Sequence, residues 1–134
     1  MATLEQERAA FALERVESVR DNERRSNAKY KTQLLKLPSR LHNNGLGQTV
    51  AYLLANKDGS PEKEVYGWLE SWLRQEHHHI YPSGERLIDC ITGRAAQLTD
   101  EDVEPRYRRA SAEARALAVW LKRFAEAFLA GDVE

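Results

Sequence analysis

The sequence of 134 residues holds one cysteine, Cys90. A single thiol excludes an internal disulfide framework and fits a reducing cytoplasm. Free cysteine behaves as a small apolar residue, so Cys90 is expected in the core. Four prolines and seven glycines are too few for a collagen-like or Pro/Gly-rich chain. Long apolar runs are missing too. The longest, around Ala116–Leu121, falls far short of the roughly 18 residues of a membrane span. The first residues have neither a basic start nor an apolar core, so no signal peptide is expected. Strand signals are equally scarce: β-branched runs are few, and no stretch alternates apolar and polar for long.

What is present is helical periodicity in a chain 42% hydrophobic and 31% charged, the composition of a soluble globular protein. Residues 1–134 are expected to form one all-α domain of five or six helices, with long first and last helices. A chain of this length buries enough surface to fold without a structural metal. Leu4, Arg8, Phe11, Val16, Val19, Tyr30, Leu34 and Leu37 fit one stripe, so a first helix is expected from Thr3 to Lys36. It should bend near Asn22–Asn27, where the sequence is polar all round. Pro38 is expected to stop it and open a second helix running to Ala55, with Leu41, Val50, Leu53 and Leu54 buried. Gly45 and Gly47 inside that helix imply a kink or a close backbone approach.

Ser60 reads as an N-cap, with Pro61 at the first helical position and Glu62 and Glu64 in an acidic first turn. Val65, Trp68, Leu69, Trp72 and Leu73 continue that helix until His77–Pro82. Ser83 should cap a short helix with Leu87, Ile88 and Ile91 inward, closing at Gly93. Gln97–Glu104 forms a second acidic turn, with Thr99 a candidate cap. Pro105 opens the last helix and Gly131 ends it. Its stripe of Tyr107, Ala110, Ala114, Leu117, Leu121, Phe124 and Phe128 has a seven-residue period, which favours packing along a neighbour at a shallow angle.

Motifs of catalysis are absent. His77, His78 and His79 are consecutive, so they point about 100° apart on a helix and do not share a metal as an i, i+4 pair does. Gly45-Leu46-Gly47-Gln48-Thr49 has no Lys before the Thr and no preceding strand, which excludes a phosphate loop. The carboxylates Glu62, Glu64, Glu70, Glu76 and Asp100–Glu104 form no metal or acid–base set. No serine or cysteine sits in a nucleophile motif. Neither a cofactor, a metal nor an enzymatic activity is expected.

The charge is segregated beneath a net value of -1. Residues 1–56 hold nine Lys/Arg against six Asp/Glu, residues 57–104 five against eleven, and residues 105–134 six against four. Such a pattern can present one face to a polyanion and another to a basic protein. Lys36 belongs to the densest basic stretch, Arg20–Arg40. Within it Arg20, Arg24 and Lys31 share one side of a helix, with Arg25 and Lys29 beside it. Arg108, Arg115 and Lys122 recur every seven residues on the last helix, in steps of about 10.5 Å. The candidate nucleic-acid contacts are Arg20, Arg24, Arg25, Lys29, Lys31, Arg40, Arg108, Arg109, Arg115 and Lys122, which would displace condensed counterions. The same residues suit a solvated helix face or ion pairs with a neighbouring subunit.

Two stretches carry a family resemblance. One is Leu37-Pro38-Ser39-Arg40-Leu41-His42-Asn43-Asn44-Gly45-Leu46-Gly47-Gln48-Thr49-Val50-Ala51-Tyr52-Leu53. The other runs from Tyr107-Arg108-Arg109 to Trp120-Leu121-Lys122-Arg123-Phe124-Ala125-Glu126-Ala127. Together with the opening helix around Arg8 and Phe11, they resemble the small helical subunit of the type III-B CRISPR effector, the Cmr complex. Residues 56–104 carry little of this signal. The resemblance implies a non-enzymatic, all-helical subunit that stacks head to tail in several copies. It implies contacts with other Cmr subunits, with guide RNA and with target RNA, while RNA cleavage and cyclic-nucleotide signalling belong to other subunits. The alternative is a stand-alone helical adaptor that binds only protein, through a Trp68/Trp72 surface or the seven-residue stripe. A third possibility, an enzyme built on His77–His79, requires bound metal.

Overall fold

A computed structural model describes residues 2–131. The chain is 74% helical, with no strand among the described residues and five α-helices. These are α1 (Leu4–Arg20), α2 (Asn27–Leu54), α3 (Pro61–Leu73), α4 (Leu87–Thr92) and α5 (Asp100–Phe128), with a 3-10 turn at Glu76–His78. Two compact units are formed, Met1–His42 with Arg115–Glu134, and Asn43–Ala114. Helices α2 and α5 contribute residues to both.

In the first unit, Thr3 and Gln6 start α1 with a reciprocal cap: Gln6 N–H donates to Thr3 Oγ1 at 3.1 Å, and Thr3 N–H to Gln6 Oε1 at 2.9 Å. Ala12, Val16 and Val19 are fully buried. The expected single helix to Lys36 does not exist; it breaks at residues 21–26. That stretch offers the core no apolar side chain, so nothing compensates a helix there. Its own polar groups take over instead: Asn22 Oδ1 accepts Arg24 N–H at 3.0 Å, and Ser26 Oγ accepts Lys29 N–H at 3.3 Å, which caps α2. Pro38 does not stop the helix either; it lies inside α2. The lost N–H bond is offset because Tyr30, Leu34, Leu37 and Leu41 form one continuous buried row, each at most 3% exposed. A Leu in such a row contributes about 2–5 kcal/mol relative to Ala.

The interruption in α2 comes at Gly45, with φ 83° and ψ 166°. Only glycine adopts this conformation readily. Gly47 is the close approach: its N–H donates to Tyr107 Oη at 2.9 Å, and a Cβ there would lie 3.4 Å from that oxygen. The expected kink is at Gly45; the close neighbour of Gly47 is a side chain, the Tyr107 hydroxyl, and not the second backbone of the other expectation. Beyond the break the buried row is Leu46, Val50 and Leu53, while Leu54 is half-buried.

Elsewhere in the second unit, Ser60 and Pro61 start α3 as expected, with Ser60 Oγ accepting Lys63 N–H at 3.1 Å. Helix α3 ends at Leu73, before the histidines, because its apolar stripe ends there. Ser83 is not the cap of α4. Arg86 stands at that position, and the carboxylate of Glu70 accepts the Leu87 N–H at 3.0 Å from α3. Leu87 and Cys90 are fully buried but Ile88 and Ile91 only half so, since six residues turn one narrow face inward. Gly93 closes α4 at φ 81°.

Helix α5 opens at Asp100, not at Pro105. Thr99 and Asp102 cap it, with Thr99 Oγ1 donating to Asp102 Oδ2 at 2.9 Å, and Asp100, Glu101 and Asp102 set three acids against the positive end of the helix dipole. Near its other end, in the first unit, the seven-residue stripe fails. Ala125 and Leu129 are buried, whereas Phe124 is half-buried and Phe128 is 40% exposed. A straight helix drifts about 20° per seven residues, so a strict heptad rotates off the core within three repeats. Gly131 lies beyond the helix end, with a positive φ.

Replacing Gly45 with Ala is expected to lower the unfolding free energy by about 1–3 kcal/mol, the cost of holding an L residue in this region. Urea denaturation of Gly45→Ala beside the wild type measures it; an unchanged curve contradicts the break.

Candidate nucleic-acid interface

The Met1–His42/Arg115–Glu134 unit holds twelve Lys and Arg against nine Asp and Glu. Some of these cations are committed. Arg20 pairs with Asp21 at 2.9 Å and Glu17 at 3.6 Å, and its hydrogen bond to Asp21 raises its pKa further. Its guanidinium also lies 5.7 Å from the Phe128 ring. Arg25 donates to Ser18 Oγ at 3.1 Å and approaches the Tyr30 ring. Arg40 is half-buried.

Six other cations take part in no ion pair among the described residues: Arg24, Lys29, Lys31, Lys36, Arg115 and Lys122. Arg24, Lys29, Lys36 and Arg115 are exposed, and Lys31 and Lys122 half-buried. Because α2 continues through Pro38, Lys29, Gln33, Lys36 and Arg40 follow the 4-3-4 spacing of a single face. This row lies one residue, about 100°, from the buried row Tyr30, Leu34, Leu37 and Leu41. It spans about 16 Å at 1.5 Å per residue. Lys36 lies outside the set expected from sequence because a helix ending at Leu37 gives it no partner row; the 4-3-4 spacing is the signal that points to it.

The Asn43–Ala114 unit is the reverse, with eight Lys and Arg against twelve Asp and Glu. Its cations are mostly engaged. Lys63 pairs with Asp58 at 3.4 Å, Arg86 with Asp89 at 2.9 Å and Arg108 with Glu104 at 3.5 Å. Arg86 lowers the pKa of Asp89 mainly through that hydrogen bond. Arg109 donates to the His78 and His79 carbonyls, each at 2.9 Å, and Arg106 to the Ile80 carbonyl at 2.8 Å. These guanidiniums hold a turn in which His79 has φ 54°, an uncommon value for a non-glycine residue. Arg109 is therefore partly a turn-bracing residue, and Arg108 an ion-paired one. The expected ridge of Arg108, Arg115 and Lys122 thus differs along its length: Arg108 is paired, the other two are not.

The histidines and tryptophans of this unit serve the core and its margin. His78 is 9% exposed with its ring 4.4 Å from Trp72, while His77 and His79 are exposed. Trp72 Nε1–H donates to the buried Glu113 carboxylate at 3.0 Å. Trp68 and Trp72 are 6% and 2% exposed, which removes the tryptophan surface expected of a protein adaptor. Large apolar side chains in a helical stripe of this length fill the core before they serve a surface. Glu70 is a hub, accepting Tyr66 Oη at 2.9 Å beside the Leu87 N–H. Burial, then this hydrogen bond, raises the Tyr66 pKa. Burial pushes the Cys90 thiol up to about 11, with Glu85 adding to it. A thiol so placed is protonated at neutral pH and is not a nucleophile.

The sequence profile of the family described as CRISPR-associated protein (Cas_Cmr5) matches residues 4–128. The match covers nearly the whole described chain, so the chain belongs to this family of small subunits of type III-B (Cmr) complexes. Association with other Cmr subunits follows from membership. No helix among the described residues is long and apolar enough to cross a membrane.

Cys90 is expected to resist iodoacetamide at neutral pH and to react at the ordinary thiol rate once urea unfolds the chain. Mass spectrometry of time-quenched samples reads this, and rapid labelling of the folded chain contradicts the buried placement.

Proposed function

We propose that this Cmr subunit is a non-catalytic, nucleic-acid-lining component of its effector complex, and that it contacts the RNA backbone through the Met1–His42/Arg115–Glu134 unit. One observation supports this above all: among the described residues six of the twelve cations there take part in no ion pair, while six of the eight in the acidic unit, all but Lys57 and Arg94, are tied to carboxylates or carbonyls. A paired cation is already partly neutralised by its carboxylate. An unpaired one releases counterions when phosphate arrives, the main driving force of sequence-independent binding. No RNP-type aromatic platform is implied, so the contact positions RNA and leaves sequence reading to base pairing.

In this reading Lys29, Lys36, Arg24, Lys31, Arg115 and Lys122 carry the contact. Arg20, Arg25, Arg108 and Arg109 serve it less, because each already has work in the fold, and Arg40 is half-buried. Several copies stack in the complex in a cytoplasmic setting, and guide and target RNA are met only there. Helices α2 and α5, each shared by the two units, support a single domain over residues 1–134.

A reconstituted complex containing Lys29→Glu/Lys36→Glu is expected to bind target RNA more weakly. The slope of log K against log salt should fall by about 0.7 for each single-strand phosphate that is no longer neutralised. Arg108→Glu should change the slope less. Equal slopes for the wild-type complex and both variants overturn the assignment.

A further inference from the structure

The Asn43–Ala114 unit carries a polar hollow of about 440 Å³, lined by none of the six unpaired cations. It opens between the turn that follows α3, the residues just before α5 and the first turns of α5. Its two charges differ in what they already hold. Arg106 is committed: its guanidinium donates to the Ile80 carbonyl at 2.8 Å and stands 3.9 Å from the Asp102 carboxylate. Glu76 is not: its carboxylate enters no ion pair or hydrogen bond among the described residues. With Arg106 set against Asp102, Glu76 leaves the hollow negative. Neutral acceptors line the same space. The Ser83 hydroxyl and the Gln97 amide make no hydrogen bond among the described residues, and Tyr81, 2% exposed, has a buried hydroxyl without a partner. Gly84 makes room for the amide, since a Cβ there would lie 3.2 Å from Gln97 Nε2. Pro82 and Leu98 add apolar wall.

We infer that this hollow receives an arginine side chain from a neighbouring protein subunit. A phosphate or carboxylate is disfavoured, because it would meet the Glu76 charge in a space whose own cation is already compensated. A cation is favoured, and the unit's twelve Asp and Glu against eight Lys and Arg draw it in. The acceptors then decide between the two cationic side chains. A guanidinium carries five N–H donors in a fixed plane, an ammonium only three. Glu76 can take two of the five side by side. The Ser83 and Tyr81 hydroxyls and the Gln97 carbonyl are acceptors for the others. The methylenes of the incoming side chain find Pro82 and Leu98. A subunit of a multi-protein complex meets arginine on its neighbours, whereas RNA offers no cation. The inference rests on membership of the Cmr family and not on the RNA reading, with which it shares no residue.

Amide NMR spectra of the full-length chain at low salt, titrated with N-acetyl-arginine amide, test the site. Resonances of residues 76–84, 97, 98 and 106 are expected to shift together and saturate. N-acetyl-lysine amide should bind about tenfold more weakly, and Glu76→Gln should weaken the arginine probe by about the same factor. Glu101→Gln removes an exposed carboxylate of the same unit outside the hollow and should leave the titration unchanged. In a reconstituted complex, Glu76→Gln should loosen retention of this chain as salt rises, and Glu101→Gln should not. Absence of shifts with the arginine probe, equal affinity for the lysine probe, or equal weakening by the two variants overturns the inference. Tighter binding of adenosine monophosphate at the same resonances assigns the hollow to a nucleotide and overturns it too. So does a complex that retains Glu76→Gln as firmly as the wild type while the free chain binds the arginine probe, since no neighbour then uses the site.

Discussion

Gly45 sets the register of everything after it in α2. The buried row Tyr30, Leu34, Leu37, Leu41 continues on paper to Gly45, Gln48 and Tyr52. Instead the break moves burial by one residue, to Leu46, Val50 and Leu53, leaving Gln48 exposed and Tyr52 39% exposed. An uninterrupted helix would have to bury the amide of Gln48 and expose Leu46 and Val50. The Tyr107 hydroxyl holds the new start by accepting the Gly47 N–H, one of the donors that a helix beginning there leaves without a partner. A short Gly-Leu-Gly segment thus decides which half of the sequence pattern is inside.

Much of the fold is legible in the residues themselves, and the departures share a cause. The all-helical class, the cap at Ser60, the closing Gly93 and the kink at the glycine pair follow from local chemistry, which the sequence states directly. The helix through Pro38, the break at residues 21–26 and the start of α5 at Asp100 depend on balances between local preference and burial. Pro38 is overruled because Leu34, Leu37 and Leu41 gain more by staying in one row than one hydrogen bond costs. Residues 21–26 have no such row. Counting sevens places Phe124 and Phe128 inward, but the helix turns at 3.6 residues.

The candidate site is legible in composition but not in detail. Clustering and spacing single out ten cations. They cannot say which of the ten already hold a carboxylate or a carbonyl. Arg109 shows the difficulty: it lies beside Arg108 in sequence, yet its guanidinium binds backbone carbonyls about 30 residues away in the chain. Lys36 shows the converse. It stands in the basic stretch but outside the set, because its row exists only if the helix passes Pro38. Charge segregation by unit, twelve against nine and eight against twelve, likewise requires knowing that the chain's two ends share a unit.

The borrowed cap of α4 has a kinetic meaning. Six residues are far below the length at which a helix persists alone in water. Its leading amide is satisfied by Glu70, a side chain of α3, and that same carboxylate holds Tyr66. Helix α4 therefore cannot be an early, autonomous element. It forms when α3 is already in place to receive it, and it opens when α3 lets go. The backbone protons of the two helices should accordingly exchange with solvent as one cooperative group, making residues 61–92 a single unit of unfolding in spite of the loop and turn that divide them.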